Sequence, residues 1–89
     1  MINLKELELK ERNIRIYKGN YVVRIMRRRR SLTEARRLVK YIEQFTNCVS
    51  IYEDQKQKTF IVQTYKEFKD LADAIKLRNF LEVKLKDYN

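Results

Sequence analysis

The chain has 89 residues, 44% of them hydrophobic and 37% charged, with one glycine and no proline or histidine. This length suits one domain, residues 1–89, and the lack of histidine excludes imidazole-based catalysis and histidine metal ligands. The single cysteine, Cys48, excludes a disulfide framework or a zinc site and fits a reducing compartment. We therefore expect a cytoplasmic, non-enzymatic protein with no cofactor and no metal.

The positive charge is concentrated in one segment. The net charge is +9, yet residues 10–40 alone carry twelve basic and only two acidic side chains. Such asymmetry indicates a polyanionic partner, most often nucleic acid. No apolar stretch is long enough to span a membrane, and residues 1–10 lack the apolar core of a signal peptide. The bias toward Lys, Ile, Asn, Tyr and Glu fits an AT-rich genome or one of its phages.

Residues 14–25 predict a β-hairpin, because apolar side chains alternate there at the period of a strand. Gly19-Asn20 fits a two-residue turn with glycine in the first central place. That register places Arg15 opposite Arg24. Because like charges across a sheet repel, the pairing indicates that this face meets an anion. The leucine spacing in residues 1–10 fits either a short helix or more strand.

Residues 31–46 predict an amphipathic helix. Ser31 and Glu34 have the spacing of an N-terminal capping box. The apolar arc at helical spacing is Leu32, Ala35, Leu38, Val39, Ile42 and Phe45. The opposite arc carries the basic residues Arg36, Arg37 and Lys40, so we expect a basic outer face near the start of this helix.

The second half of the chain predicts two strands, a helix and a further strand. "CVSIYE", residues 48–53, alternates with Val49 and Ile51 inward, and "TFIVQTY", residues 59–65, is the next strand. A helix follows over roughly residues 66–78. In "FLEVKLKD", residues 80–87, the helical period fails and alternation favours a strand, with a helical extension as the competing interpretation.

The chain also resembles itself. "YVVRI" is similar to "FIVQT", "RRLVKYI" to "KDLADAI", and "CVSIY" to "FLEVK". The repeated unit is then strand, helix, strand. This order predicts an α+β fold: a small antiparallel sheet with two helices on one face, ferredoxin-like βαββαβ, with an extra N-terminal strand.

The run Arg27–Arg30 is the most distinctive candidate site. It fits contacts to phosphates, because further basic residues surround it, whereas a solvated strand end and a site for an acidic protein are the alternatives. Tyr17 and Tyr52 fit stacking on bases, or else the edges of a second small core. The candidate nucleic-acid-binding residues are Arg15, Tyr17, Arg24, Arg27, Arg28, Arg29, Arg30, Arg36, Arg37, Lys40 and Tyr52.

Two stretches resemble a known family. "IYKGNYVVRIMR" resembles the opening strands of AP2-like DNA-binding domains, including arm-type domains of phage integrases. "FIVQTYKEFKDLADAIKLRNFLE" resembles their last strand and helix. In that family a three-stranded sheet enters the major groove of DNA, and the resemblance would make Arg15, Arg24 and Lys58 sheet contacts. The helix over residues 31–46 departs from this family, and the βαββαβ order is equally similar to RNA-recognition and SPOR plaits.

Two functions follow from these patterns. The first is a basic nucleic-acid-binding protein, encoded by a phage or mobile element, that contacts DNA or RNA phosphates through the arginine-rich hairpin and the first-helix N-terminus. The second is a small inhibitor or adaptor that docks on an acidic surface of a larger protein or ribonucleoprotein. The sequence indicates no membrane partner and leaves the oligomeric state open.

Overall fold

A computed structural model describes residues 11–88, and the leucine-spaced segment in residues 1–10 lies outside the described residues. The described strands are β1 (Ile14–Tyr17), β2 (Asn20–Val23), β3 (Met26–Arg29), β4 (Val49–Asp54), β5 (Thr59–Thr64) and β6 (Lys66–Phe68). The described helices are α1 (Leu32–Ile42) and α2 (Leu71–Asp87). The predicted α+β class is confirmed.

There are two small antiparallel sheets among the described residues, ordered β1-β2-β6 and β3-β5-β4, and strands of one sheet continue into strands of the other. β2 runs into β3 across Arg24 and Ile25, and β5 runs into β6 across Tyr65. The pairing stays in step across this junction, since Val23 faces Lys66 and Met26 faces Gln63. The two sheets therefore form one antiparallel ribbon of two long strands, with β1 along one edge and β4 along the other.

Ile25 and Thr64 hold the junction between the two sheets. The Thr64 N–H donates to the Ile25 carbonyl at 2.9 Å, and the Ile25 N–H donates to Thr64 Oγ1 at 3.1 Å. The side-chain oxygen thus replaces a backbone acceptor where the ladder is interrupted. Both residues are buried, so these bonds satisfy groups that water does not reach.

Both helices cover the same face of the ribbon. Val23 and Ile25 lie in the core beneath α2. Arg27 follows them at a spacing of two and so lies on the same face of the strand, and its cross-strand partner Val62 lies beneath α1. Leu85 packs against both cores. Among the apolar side chains of these elements, Val23, Leu38, Ile42 and Val62 are buried, and Ile16 and Ile75 are half-buried.

The chain repeats a strand, strand, helix unit, so β1, β2–β3 and α1 correspond to β4, β5–β6 and α2. The two helix N-caps, Ser31 and Asp70, are 39 positions apart, and so are the fully buried Ala35 and Ala74. The same offset carries Ile25 onto Thr64. A pseudo-twofold axis therefore passes through the Ile25–Thr64 pair, perpendicular to the sheet.

The order of elements differs from the ferredoxin-like prediction. "FLEVKLKD" is not a strand, because α2 continues through it to Asp87. Leu81 and Leu85, four residues apart, both face the cores, whereas Val83 is exposed, which is helical and not alternating burial. At the start of the predicted helix, residues 66–68 instead pair with β2 as strand β6. The repeated unit therefore ends in its helix.

The remaining predicted elements are found, with two adjustments. α1 begins after Ser31, whose Oγ accepts the Glu34 N–H at 3.1 Å, and it ends at Ile42, before the predicted residue 46. The hairpin turn is Lys18-Gly19, with φ of 51° and 81°, and not Gly19-Asn20. Two positive φ angles define a turn that suits the twist of a hairpin.

This turn shifts the predicted hairpin pairing by two residues. Arg15 faces Val22, and the Arg24 N–H donates to the carbonyl of Asn13. The predicted cross-strand pair Arg15–Arg24 is therefore wrong, so repulsion between these two residues no longer indicates that the face meets an anion. Because strand side chains alternate with a period of two, a shift by two leaves each residue on its predicted face.

Candidate nucleic-acid interface

The face of the ribbon opposite the helices, which we name the open face, carries arginine and tyrosine side chains. No element among residues 11–88 packs against it. Its central members are Arg15, Tyr17, Val22, Arg24, Met26, Arg28, Tyr52, Ile61, Gln63 and Tyr65. Tyr17, Tyr52 and Tyr65 are 50%, 42% and 44% exposed, so their rings are available to a partner.

Two shallow depressions lie on the open face, one in each half of the ribbon. Val22 and Ile61, equivalent under the pseudo-twofold axis, are buried beneath the larger side chains of this face. The first depression, of about 350 Å³, is lined by Arg15, Ile16, Tyr17, Val22, Arg24 and Tyr65. The second, of about 260 Å³, is lined by Met26, Arg27, Arg28, Tyr52, Asp54 and Ile61. Each depression thus combines an apolar floor with a tyrosine and an arginine.

The centre of the open face is held by a hydrogen bond between Arg24 and Gln63. Arg24 Nε donates to Gln63 Oε1 at 3.1 Å across the pseudo-twofold axis. Arg24 also lines the first depression beside Arg15, so the two guanidinium groups belong to one site even though they are not cross-strand partners. The bond fixes the Arg24 side chain while leaving its terminal nitrogens to other acceptors.

At the other end of the open face, Arg28 pairs with Asp54. Arg28 Nη1 lies 3.0 Å from Asp54 Oδ2 and also donates to Thr59 Oγ1. The hydrogen bond from Arg28 lowers the pKa of the Asp54 carboxyl, with further help from the backbone N–H groups of the loop that follows. This half of the open face is therefore less cationic than the half that carries Arg15 and Arg24.

The arginine run is divided between the two faces of the ribbon. Arg28 faces the open side, whereas Arg27 and Arg29 pair with Val62 and Phe60 and so project from the helix-covered face. Arg27 Nη1 donates to the Met26 carbonyl, and Arg29 Nη1 to the Arg28 carbonyl. Arg30 lies beyond the end of β3 and is exposed.

The predicted residues of the first helix lie apart from the open face. Arg36, Arg37 and Lys40 are exposed on α1, whose buried side packs on the ribbon. The structure therefore does not join the hairpin, the arginine run and this helix into one continuous patch. Lys58 is exposed in the loop between β4 and β5, with a φ of 54°.

Five central residues of the open face were not among the sequence candidates: Val22, Met26, Ile61, Gln63 and Tyr65. The signal for Tyr65 was the alternation of "TFIVQTY", which places it on the same side as Ile61 and Gln63. Because a helix was predicted from residue 66, Tyr65 was taken as the last residue of the strand and not as part of its exposed face. Lys18 was also missed, and its Nζ lies 5.3 Å from the centre of the Tyr17 ring.

A second charged cluster, at the start of β1 and on α2, holds the chain together. Arg12 contacts Glu82 through two hydrogen bonds of 3.1 and 2.9 Å, and Asn13 Nδ2 donates to Glu82 Oε1 at 3.0 Å. The bond from Arg12 is the main reason that the pKa of Glu82 is lowered, and the bond from Asn13 adds to it. Arg78 is buried and donates to Glu11 Oε2 at 2.8 Å and to the Arg12 carbonyl at 2.9 Å. These groups have structural partners and are not free to bind an anion.

Comparison of this chain with protein families, curated proteins and solved structures returns no match. Among residues 11–88, no group of three or more acidic, cysteine or histidine side chains is placed to hold a metal ion. In the same part of the chain, neither helix has the length and apolar character needed to cross a bilayer. The open face is thus interpreted from its own chemistry.

Proposed function

We propose that this chain is a non-enzymatic nucleic-acid-binding protein of the cytoplasm whose open face is the binding surface. The observation that supports the proposal is the joint exposure of Tyr17, Tyr52 and Tyr65 beside arginines on a face that neither helix covers. Exposed aromatic rings on a sheet stack on bases, and neighbouring arginines neutralise phosphates. A free Cys48 fits the reducing compartment that the proposal assumes.

The charges of the open face favour its Arg15 and Arg24 half as the main phosphate site. Both arginines line one depression; none of the lining residues within 11–88 is acidic, and Glu67 lies next to it, opposite Val22. Arg28, in contrast, already pairs with Asp54, so part of its charge is neutralised. We therefore assign the larger share of the electrostatic affinity to Arg15 and Arg24, and a smaller share to Arg28.

The tyrosines favour nucleic acid over an acidic protein as the partner. Arginines alone suffice to recognise an acidic protein surface, whereas nucleic acid also offers bases to stack on Tyr17 and Tyr65, which flank the same cationic depression. Base stacking on such rings contributes about 1–3 kcal/mol per base. Replacing Tyr17 and Tyr65 with Leu should therefore weaken nucleic-acid binding without changing its salt dependence.

The test compares two pairs of basic residues of equal charge. The first variant is Arg15→Gln/Arg24→Gln on the open face, and its matched control is Arg36→Gln/Arg37→Gln on the outer side of α1. Binding to a fluorescent oligonucleotide is measured by anisotropy over a range of salt concentrations. The open-face variant should reduce the slope of log affinity against log salt by about 1.5, because each lost phosphate contact removes about 0.7–0.9.

The control should keep the slope and affinity of the parent. Equal losses in the two variants would contradict the assignment to the open face and favour a diffuse basic surface. A parent that binds no oligonucleotide at low salt, and that purifies without absorbance from nucleic acid, would overturn the proposed function. The acidic protein partner would then become the leading interpretation.

A further inference from the structure

The pseudo-twofold axis gives the open face two halves of similar shape. The axis passes through Ile25 and Thr64, and it relates the two depressions with their floors Val22 and Ile61. Antiparallel strands of a nucleic-acid duplex are themselves related by local twofold axes, whereas a single strand has a direction and no such axis. A surface with this symmetry presents an equivalent shape to each strand of a duplex.

The two hairpin tips also suit a duplex. The turn at Lys18-Gly19 and the loop before β5, which ends at Lys58, lie at opposite ends of the long ribbon and are exposed. The long strand from Asn20 to Arg29 spans about 33 Å at a strand rise of about 3.3 Å. This length is close to one turn of B-DNA, about 34–36 Å, after which the same groove returns to the same side.

The chemistry of the two halves differs although their shape is alike. Arg24 corresponds to Gln63, and Arg28 corresponds to Glu67. At the strand ends that precede the two hairpin loops, Tyr17 corresponds to Asp54. Each half therefore carries one acidic side chain, Glu67 in the first and Asp54 in the second, and the arrangement of its basic side chains differs. A duplex on this face has a preferred direction, because its two ends meet different side chains.

We propose that the open face binds duplex DNA along the long axis of the ribbon, in one orientation, with a local twofold axis of the duplex near the Arg24–Gln63 pair. The proposal rests on the proposed function. DNA is the duplex chosen because base edges in its major groove, about 12 Å wide, are accessible to side chains of the sheet, whereas the major groove of duplex RNA is deep and narrow. Lys18 and Lys58 contact phosphates about one turn apart.

The first experiment varies the length and type of the nucleic acid. Anisotropy compares DNA hairpin stems of about 6 and about 12 base pairs with the single strands and the RNA duplex of the longer sequence. The longer DNA stem should bind about tenfold or more tightly than the shorter stem, because only the longer stem reaches both tips. It should exceed the single strands by a similar factor because they lack a twofold axis, and the RNA duplex because its major groove is deep and narrow. The variant Lys18→Gln/Lys58→Gln should lower the salt slope on the longer stem by about 1.8 and by at most half that on the shorter stem.

The control for the tip variant is Lys76→Gln/Lys86→Gln on the exposed side of α2, which should bind as the parent does. Equal or tighter binding to single strands, or to the RNA duplex, would overturn the duplex DNA proposal and leave the proposed function standing. The duplex DNA proposal alone also fails if the tip variant lowers the salt slope as much on the shorter stem as on the longer one. A parent protein that binds none of these nucleic acids would overturn both proposals.

The orientation is tested on a duplex selected from a random library. Lys18→Cys in a Cys48→Ser background carries a tethered iron chelate that cleaves nearby DNA, and Lys58→Cys is its counterpart at the other tip. Each tip should cleave one end of the duplex, and the two cleavage sites should lie about one turn apart. Equal cleavage of both ends from one tip would overturn the fixed orientation.

Discussion

Replacing Thr64 with Val should destabilise the protein although it keeps the shape of the side chain. Thr64 is 2% exposed, and its Oγ1 is the acceptor for the Ile25 N–H at 3.1 Å. Valine fills the same volume but leaves that N–H buried without an acceptor, which costs about 1–3 kcal/mol. A domain of this size has about 4–13 kcal/mol of stability, so the loss is a substantial fraction of the total.

Urea denaturation followed by far-ultraviolet circular dichroism measures this loss, with Thr64→Ser as the matched variant. Serine keeps the oxygen and removes one methyl group, at a cost of about 1 kcal/mol. Amide exchange separates the two causes, because the Ile25 N–H should stay protected in Thr64→Ser and lose protection in Thr64→Val. If Thr64→Val is as stable as the parent and its Ile25 amide remains protected, the junction does not depend on the side-chain oxygen.

Three further predictions concern the core, the turn and the ion pair. Leu38→Ala should lower the free energy of unfolding by about 2–5 kcal/mol, because Leu38 is fully buried beside Val62; an unchanged melting temperature would contradict this packing. Gly19→Ala should cost about 1–2 kcal/mol, because φ is 81° and no atom of residues 11–88 lies within 4 Å of the added carbon, so the cost is one of backbone conformation; equal stability in urea would show that the turn adopts another form. The pKa of Glu82 is lower in the folded protein than in the unfolded chain, so its ion pair stabilises the fold at pH values above the ordinary carboxyl pKa of about 4.3. This stabilisation is lost as the pH falls through the folded pKa. Between neutral and acid pH, the melting temperature of Glu82→Gln should therefore fall less than that of the parent.

The local elements were largely predictable from the sequence because their signals are local. Ser31 and Glu34 define the start of α1, and the alternation of Val49 and Ile51 defines β4. The end of the chain misled the prediction because Leu81, Val83 and Leu85 fit a strand as well as a helix. Only the position of the two cores decides, since α2 lies across both and buries Leu81 completely.

The candidate site was predictable in composition and not in arrangement. The sequence indicated Arg15, Tyr17, Arg24 and Tyr52, and all four lie on the open face. The division of the arginine run, however, depends on the register of β3 against β5, which no local pattern fixes. Arg27 opposite Val62 turns toward the helix-covered side only because that pairing is formed.

The crossed pairing of the two repeats has a consequence for how the chain folds during synthesis. β2 from the first repeat pairs with β6 from the second, and β3 pairs with β5, so neither repeat completes a sheet from its own residues. A nascent chain that has emerged only through α1 lacks the second-repeat partners of its one long strand, β2–β3, and exposes the apolar row that later becomes the core. Native structure then forms late, after residues 59–68 and the helix α2 that follows them have left the ribosome. Because these contacts are distant in sequence, a pause in translation before Thr59 would prolong the exposure of those strands to aggregation.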